Sequence, residues 1–323
     1  MSEIKVNSIK GVGASSAAIT VNNTDGTCTA NLTNRQGKNL VVNGAMRIAQ
    51  RGQSATANGY HVIDRFQSQV NGADESPTFS QVDVASGTPA YQSGFRKALR
   101  VTNGNQTSGA GTGDRVRIEY KLEAQDVANS GWNYTSSSSF ITLSFWCKSS
   151  VAQNFYGRLY SYDGTSQAFI FETGSLSADT WTKVTVPISG NSNLTFDNNT
   201  SEGLYIAFAQ FIGTDYTTAS PTLNSWAAYD GNARYKDFTS TWYTTDNATF
   251  ELTGVQIELG SVGTEFDHLS FHEDYLRCAR YYIQMNRLPV MSNRAAGNCS
   301  CTSRFMPVPM RAIPSVSIAG TLT

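Results

Sequence analysis

The sequence predicts an all-β protein: a jelly-roll β-sandwich with an extended N-terminal β arm, one short helix and a further C-terminal β region. Apolar and polar residues alternate over several segments, which is the pattern of a half-buried strand. Turn-forming stretches such as 103–113 and 189–203 separate these segments, and many short strands joined by polar loops favour a sandwich. Aromatic residues form 11% of the chain, which is enough bulky material for a sandwich core.

The clearest strand is 115–123, where apolar residues at 116, 118, 120 and 122 alternate with charged ones. The same reasoning predicts further strands at 141–147, 155–162, 169–172, 181–188, 204–211 and 250–259. In the last of these, Phe250 and Leu252 are out of register with the apolar residues from Val255 onward. Since Thr253 and Gly254 lie at the break, we predict a β-bulge there.

A single helix follows the predicted sandwich. Ser270 and Glu273 have the spacing of a capping box, and Tyr275, Cys278 and Tyr282 continue one apolar stripe to a helix end near Gln284. We therefore divide the chain into an attachment arm at 1–38, a jelly-roll sandwich at 39–268, a connecting helix at 269–285, and the start of a C-terminal β region at 286–323. The last residues read as an unfinished strand, so we expect either completion by a neighbouring subunit or a longer natural chain.

Charge and cysteine content narrow the classes of function. Charged residues are only 15% of the chain and the net charge is −1, so binding of nucleic acid through its phosphates is not expected. No stretch has the roughly 20 apolar residues of a membrane span, and the start lacks the apolar core of a signal peptide. The five cysteines are scattered and suggest free thiols. Polar uncharged surfaces without an export signal suit a virus particle released by lysis.

Candidate catalytic groups are weak. The acidic residues that could serve as a glycosidase pair are interpreted as turn residues; they are Asp163, Glu172, Asp179, Asp197, Glu202, Asp215, Asp230 and Asp237. His268 and His272 have metal-binding spacing, but His268 precedes the helix cap at Ser270, so they would not share a face. Gly104–Gly113 lacks the lysine of a phosphate loop. We expect no enzyme activity, no catalytic residue, no cofactor and no metal.

Glycan binding is the better prospect, because aromatic rings stack on sugars while polar side chains bond their hydroxyls. The stretch 225–243 concentrates both kinds of residue in what reads as a long loop, and loops often carry binding residues. The predicted glycan-binding residues are Trp226, Tyr229, Asp230, Asn232, Tyr235 and Trp242. The alternative is that these rings anchor the loop to the sandwich. Trp146 and residues 156–162, on strand faces, are second choices.

Two stretches resemble the ends of a domain found in many phage tail-fibre-like proteins. Residues 39–52 read NLVVNGAMRIAQRG and 62–66 read VIDRF, similar to its opening. Residues 252–260 read LTGVQIELG, 264–268 read TEFDH and 273–282 read EDYLRCARYY, similar to its close. Members often have a proline after the threonine of the TEFD segment, where this chain has Glu265. The resemblance covers about 39–323 and implies a virion location, a sandwich like carbohydrate-binding modules, and trimeric fibres.

We therefore expect a homotrimeric tail fibre of a tailed phage, located in the virion tail. Its N-terminal arm would dock on phage tail adaptor or nozzle proteins, and its surface would recognise a host cell-surface glycan. We expect no contact with nucleic acid and no membrane insertion. Two alternatives stay open: an architectural virion protein, such as an adaptor or decoration protein, and a polysaccharide-degrading tailspike. The tailspike would show the short repeats of a β-helix, which we do not find.

Overall fold

Two six-stranded antiparallel sheets form a jelly-roll sandwich, which confirms the predicted fold class. The computed structural model describes residues 6–12, 19–21, 28–30, 37–284, 290–292, 299–301 and 308–315. Sheet A contains, in spatial order, β15 (Trp226–Ala228), β11 (Gln167–Ser175), β10 (Asn154–Ser161), β13 (Glu202–Ile212), β8 (Arg115–Glu123) and β5 (Phe66–Asn71). Sheet B contains β12 (Thr182–Ser189), β9 (Phe140–Ser149), β17 (Thr249–Leu259), β7 (Lys97–Thr102), β6 (Thr78–Asp83) and β4 (Ser54–Ala55).

The core lies between these sheets and is built from the alternating residues that the sequence indicates. In β8 the four apolar side chains between Val116 and Leu122 are all at most 2% exposed. Across the sandwich, the ring of Phe145 in β9 packs edge-on against Phe208 in β13 at 5.0 Å and against Phe171 in β11 at 6.0 Å. Burial of such rings is the main favourable contribution to folding here.

The bulge predicted at Thr253 and Gly254 is confirmed. Opposite β9, Thr253 pairs with Trp146 and Gln256 pairs with Ser144, so β17 has one extra residue at this point. Gly254 has a φ of +64°, a conformation that glycine adopts without strain. A methyl group there would also lie only 2.5 Å from the ring of Phe95. Both the backbone angle and the close approach therefore require glycine.

The opening motif holds the start of the sandwich against β17. The side chain of Asn39 accepts hydrogen bonds from the backbone N–H groups of Val41 and Ile257, both at 2.9–3.0 Å, and donates to the carbonyl of Val255 at 3.1 Å. Asn43, fully buried with φ +61°, donates to the carbonyls of Ile48 and Asp64. These buried amides satisfy backbone groups that have no strand partner.

The helix begins as predicted but ends earlier. Helix α4 (Phe271–Ala279) has the capping box of Ser270 and Glu273, whereas the predicted end near Gln284 is wrong. The chain leaves the helix because its next side chains bind the sandwich. Arg280 makes two hydrogen bonds to Glu123, at 3.0 and 2.8 Å, and the rings of Tyr281 and Tyr282 lie against arginines of the sandwich. Tertiary contacts thus override the helical pattern.

The remaining elements are short. They are β14 (Thr217–Thr218), which pairs with β16 (Tyr235–Lys236), the 3₁₀ turn Thr214–Tyr216, and helices α1 (Pro89–Gln92), α2 (Ala124–Ala128) and α3 (Thr241–Thr244). In the predicted arm, β1 (Ser8–Ile9), β2 (Ile19–Val21) and β3 (Cys28–Ala30) form an antiparallel sheet. In the predicted C-terminal region, β18 (Val290–Ser292) pairs with β19 (Cys299–Cys301). The rest of both regions lies largely outside the described residues.

One outer edge of sheet B is the strand β12. Its exposed positions include Lys183 and Pro187, and a proline cannot donate a hydrogen bond to a further strand.

Among the described helices, none is long and apolar enough to span a membrane.

Candidate functional site

The six predicted glycan-binding residues do not form one surface. Three are buried and anchor the 213–244 segment to the sandwich. Trp226, 7% exposed, packs on Phe169 at 5.4 Å, and its indole N–H donates to the carbonyl of Ser189 at 2.8 Å. Tyr235 and Trp242 are at most 1% exposed. Rings buried to this degree cannot stack on a sugar, so for these three the anchoring interpretation describes the structure.

The other three lie at the surface around one turn. Asp230 and Asn232 are exposed, and the Asp230 carboxylate accepts a hydrogen bond from the backbone N–H of Asn232 at 2.8 Å. Tyr229, just before the turn, is half-buried, and its ring lies 4.8 Å from that of Tyr160 in β10. This contact joins the turn to the outer face of sheet A.

The outer face of sheet A gathers tyrosines from three elements. In β10, Phe155 and Leu159 point into the core, so Tyr156, Arg158 and Tyr160 point outward. In β13, Tyr205 lies on the same face, since it pairs with Tyr160. We use the name tyrosine face for this surface, which is formed by Tyr156, Tyr160, Tyr162, Tyr205, Tyr229 and Tyr235.

Half of the tyrosine face is covered by the 213–244 segment. Tyr235 packs with Tyr205, Ala207 and Ala209 in one apolar cluster, to which Phe238 also belongs. The two alanines on the central strand β13 leave the space that these large rings fill. This half of the face is therefore a small second core, and it fixes the position of the segment that carries Tyr229.

The other half is open and presents three rings. Tyr160 meets Tyr162 at 4.8 Å and Tyr229 at 4.8 Å, both edge-to-face. Tyr162 is 39% exposed, and the hydroxyl of Tyr160 donates to that of Ser166 at 2.8 Å. Beside them, Lys121 forms an ion pair with Glu202 at 2.5 Å. An open cluster of rings with adjacent charged and hydroxyl groups suits a ligand with both apolar faces and hydroxyls.

A buried polar row crosses the sheet beneath these rings. The carboxylate of Glu119 accepts hydrogen bonds from Gln67, from Arg117 at 2.5 Å and from the hydroxyl of Tyr205 at 2.7 Å. On the same row, Arg158 is 7% exposed. Its guanidinium carbon lies 5.1–5.6 Å from the ring centres of four tyrosines, namely Tyr160, Tyr205, Tyr229 and Tyr235.

Burial keeps the tyrosine hydroxyls neutral. It raises the pKa of Tyr205 well above its ordinary value, and it raises the pKa of Tyr162, to which the nearby charge of Glu202 adds. Both groups therefore stay protonated over the physiological range and can donate as well as accept hydrogen bonds. Among the described residues, no cluster of three or more His, Cys, Asp or Glu side chains could hold a metal ion.

A cavity lies on the outer side of sheet B. Its volume is about 240 Å³, and it is lined by nine residues, among them Trp146, Lys183 and Phe266. Trp146 was a second choice in the sequence, and here its half-buried ring packs with the small cluster that contains Phe95 and Trp181. This cavity offers two partly open rings, those of Trp146 and Phe266, whereas the tyrosine face offers three.

Sequence reasoning underrated the tyrosine face, which appeared only as the second choice at 156–162. The signal was present, because Tyr156, Arg158, Tyr160 and Tyr162 occur at every second position and so share one face of a strand. Glu119 shows the same alternation in β8, where it lies between Arg117 and Lys121 on the outer face. The sequence placed Tyr205 in a strand but did not show which face of the sheet its side chain occupies. Only the pairing of β13 with β10 brings it beside Tyr160. Glu172, interpreted as a turn residue, lies within β11 instead.

Comparison with known proteins gives structural similarities only. No family model and no curated protein matches the sequence. A tailspike protein 4 domain of bacteriophage CBA120 is 9% identical over 69% of this chain and 22% of its own, with a TM-score of 0.35. A putative sugar binding protein from Bacteroides thetaiotaomicron is 12% identical over 69% of this chain and 100% of its own, with a TM-score of 0.38. A family 4 carbohydrate-binding module is 12% identical over 68% of this chain and 98% of its own, with a TM-score of 0.33.

Proposed function

We propose that this protein recognises a host-cell glycan through the open half of the tyrosine face, as part of a phage tail fibre. The observation that carries the glycan proposal is the contact of Tyr160 with both Tyr162 and Tyr229, at 4.8 Å each, on the outer face of sheet A. Sugar rings present C–H faces to aromatic rings and hydroxyls to polar groups. The open rings supply the first kind of contact, and Lys121, Glu202 and the tyrosine hydroxyls supply the second.

The phage-fibre part of the proposal is supported by the two end motifs. The opening motif closes the sandwich through Asn39 and Asn43, and the closing motif contains the β17 bulge and the tyrosines after α4. These roles explain why the two motifs occur together, since they meet at one end of the fold. A homotrimer, docking on tail adaptor or nozzle proteins through residues 1–38, and a location in the virion tail belong to the same proposal.

We further propose that the protein is a binding protein and not an enzyme. The open rings can bind a glycan without a reactive group. The buried Glu119 is held by three hydrogen-bond donors, which suits a role in stabilising the fold. The test is incubation of the purified protein with host envelope polysaccharide, followed by chromatography of the products. Released oligosaccharides would overturn this part of the proposal, and intact polysaccharide would support it.

Binding to host cells tests the recognition surface directly. We expect Tyr162→Ala and Tyr229→Ala each to weaken binding of the full chain to host cells about 5- to 30-fold, because stacking on an aromatic ring contributes roughly 1–2 kcal/mol. Tyr91→Ala is the matched control, since Tyr91 is half-exposed in α1 on the side of sheet B. Unchanged binding by both folded variants would exclude the tyrosine face, and a wild-type protein that binds no cell-surface glycan would favour the architectural alternative.

A further inference from the structure

The guanidinium of Arg158 lacks the partners that a buried charge requires. The residue is 7% exposed, and its Nε and Nη1 atoms have no hydrogen-bond partner. No carboxylate among the described residues lies within 4 Å of it, whereas Arg117 on the same face is bound to Glu119. Burying an unpaired charge is strongly unfavourable. The four tyrosine rings around the guanidinium offset part of this cost through cation–π contacts. They supply no hydrogen-bond acceptor for the N–H groups of Nε and Nη1.

Arg158 lies at the border between the open and the covered half of the tyrosine face. Of the four rings around it, Tyr160 and Tyr229 are half-exposed and contact each other, with the guanidinium carbon 5.6 and 5.4 Å from their centres. The hydroxyl of Tyr235, fully buried beside the same guanidinium, also has no partner. The guanidinium thus has unpartnered donors immediately below the two open rings, while the Tyr235 hydroxyl lies on its covered side.

The charges around Arg158 favour a negatively charged ligand group. Two carboxylates on this face are already paired with cations: Glu119 with Arg117 and Glu202 with Lys121. Arg234 lies beside Tyr229, 5.9 Å from its ring centre, and adds a further positive charge. A planar guanidinium fork matches the geometry of a carboxylate or a phosphate.

From these observations we infer that the glycan bound by the tyrosine face is acidic, and that Arg158 binds its anionic group. This inference rests on the proposed function and adds the chemical class of the ligand. The sugar ring lies on Tyr160, Tyr162 and Tyr229. Because the Nε and Nη1 of Arg158 are buried under these rings, the ring of Tyr229 shifts aside as the carboxylate or phosphodiester pairs with the guanidinium. A neutral glycan would leave these donors empty.

The decisive measurement uses the wild-type full chain on an array of bacterial capsular and O-antigen polysaccharides. Each uronic acid polymer is printed both native and carboxyl-reduced, together with phosphodiester-linked polymers and neutral ones. We expect binding to acidic polymers, with at least a tenfold loss on carboxyl reduction if the bound group is a carboxylate. Binding confined to the phosphodiester polymers would identify phosphate as the group instead.

Two other outcomes would contradict the inference in different ways. Equal binding to native and carboxyl-reduced forms, or to neutral polymers, would refute the acidic ligand while leaving glycan recognition by the tyrosine face intact. Absence of binding to every polymer would refute the proposed function and the inference together. Neither outcome depends on any variant being able to fold.

Substitutions at Arg158 test whether this residue binds the anionic group of the glycan. We expect Arg158→Gln to lose at least about tenfold in affinity for the acidic polymer, and Arg158→Lys to recover only part, because lysine keeps the charge without the fork. Arg96→Gln is the matched control, since Arg96 also lies on a tyrosine ring, 3.7 Å from Tyr91, but on the other side of the sandwich. A folded Arg158→Gln protein that still prefers the native over the carboxyl-reduced polymer would overturn the assignment.

Discussion

The guanidinium carbon of Arg65 lies 3.5 Å from the centre of the Tyr281 ring. This stacking joins the end of the opening motif to the end of the closing motif, which are more than two hundred residues apart in the chain. Arg65 is 6% exposed and also lies 4.9 Å from the ring of Tyr120 in β8. The segment after α4 is therefore part of the sandwich rather than a free connection.

We expect Tyr281→Leu to lower the free energy of unfolding by about 1–2 kcal/mol, because it removes the ring over the buried Arg65 and the hydroxyl that bonds Glu123. Chemical denaturation of both proteins measures this difference. Phe271→Leu is the control, since Phe271 lies in α4 but is 59% exposed, and its effect should stay within about 0.5 kcal/mol. Equal effects of the two changes would refute the packing role of Tyr281.

We expect Gly254→Ala to destabilise the protein by about 3 kcal/mol or more, through both the positive φ and the clash with Phe95. Gly174→Ala separates these two causes. Gly174 has a similar φ of +72°, but a methyl group there meets nothing within 4 Å, so the cost should be about 1 kcal/mol. Thermal or denaturant unfolding of the pair checks the prediction, and similar losses would show that the clash contributes nothing.

Trp242 and Tyr162 should separate stability from binding. Trp242 is fully buried and its indole N–H has no partner, so Trp242→Phe should cost much less than Trp242→Ala, for which we expect about 3–5 kcal/mol. Folded Trp242→Phe should bind host cells like the wild type. Tyr162→Ala should show the reverse, with normal stability and weak binding. Loss of binding by a stable Trp242→Phe protein would restore Trp242 as a binding residue.

The ion pair of Glu123 with Arg280 should make stability depend on acidic pH. Burial alone would raise the pKa of Glu123. The hydrogen bonds and charge of Arg280, together with hydrogen bonds from Tyr281 and Gln125, outweigh burial and hold the pKa below its ordinary value of 4.5. A carboxylate with a lowered pKa stabilises the folded state above the unfolded pKa, and this contribution disappears as pH falls through the folded pKa. We expect the wild type to exceed Glu123→Gln by about 1–2 kcal/mol at neutral pH.

That difference should shrink steadily below about pH 4.5. Measurement of unfolding free energies from pH 7 to 3 for both proteins provides the test. Asp83→Asn serves as the control, because Asp83 pairs with Lys97 but is 81% exposed, and an exposed pair contributes little at any pH. A constant difference between wild type and Glu123→Gln across this range would contradict the assigned pKa shift.

Patterns that depend on neighbours in sequence were predictable. The strand at 115–123 and the bulge at Thr253 and Gly254 follow from the two-residue period, since each side chain must face either the core or the outside. The start of α4 follows from Ser270 and Glu273, which bond each other over a single turn. The end of α4 was not predictable, because it depends on contacts of Tyr281 with Arg65 and of Tyr282 with Arg51. Both arginines are distant in sequence from the helix.

The binding residues were harder to predict for a related reason. Composition indicates where aromatic residues concentrate, but a tyrosine or tryptophan suits both a core and a wet surface. Tyr235 is buried because its segment folds over the alanines of β13, whereas Trp226 and Trp242 are buried because they enter the main core. All three depend on contacts between distant parts of the chain. The period of Tyr160 and Tyr162 marked one face of β10, yet the sequence contains no sign of which half of that face stays open.

The strand β12 has a consequence for how copies of this protein can associate. Pro187 interrupts the row of hydrogen-bond donors at that border of sheet B, and the charge of Lys183 would be desolvated by an incoming strand. Extension of the sheet from one molecule into the next is therefore disfavoured on this side. Any association between copies of this sandwich would therefore have to use surfaces other than the β12 border.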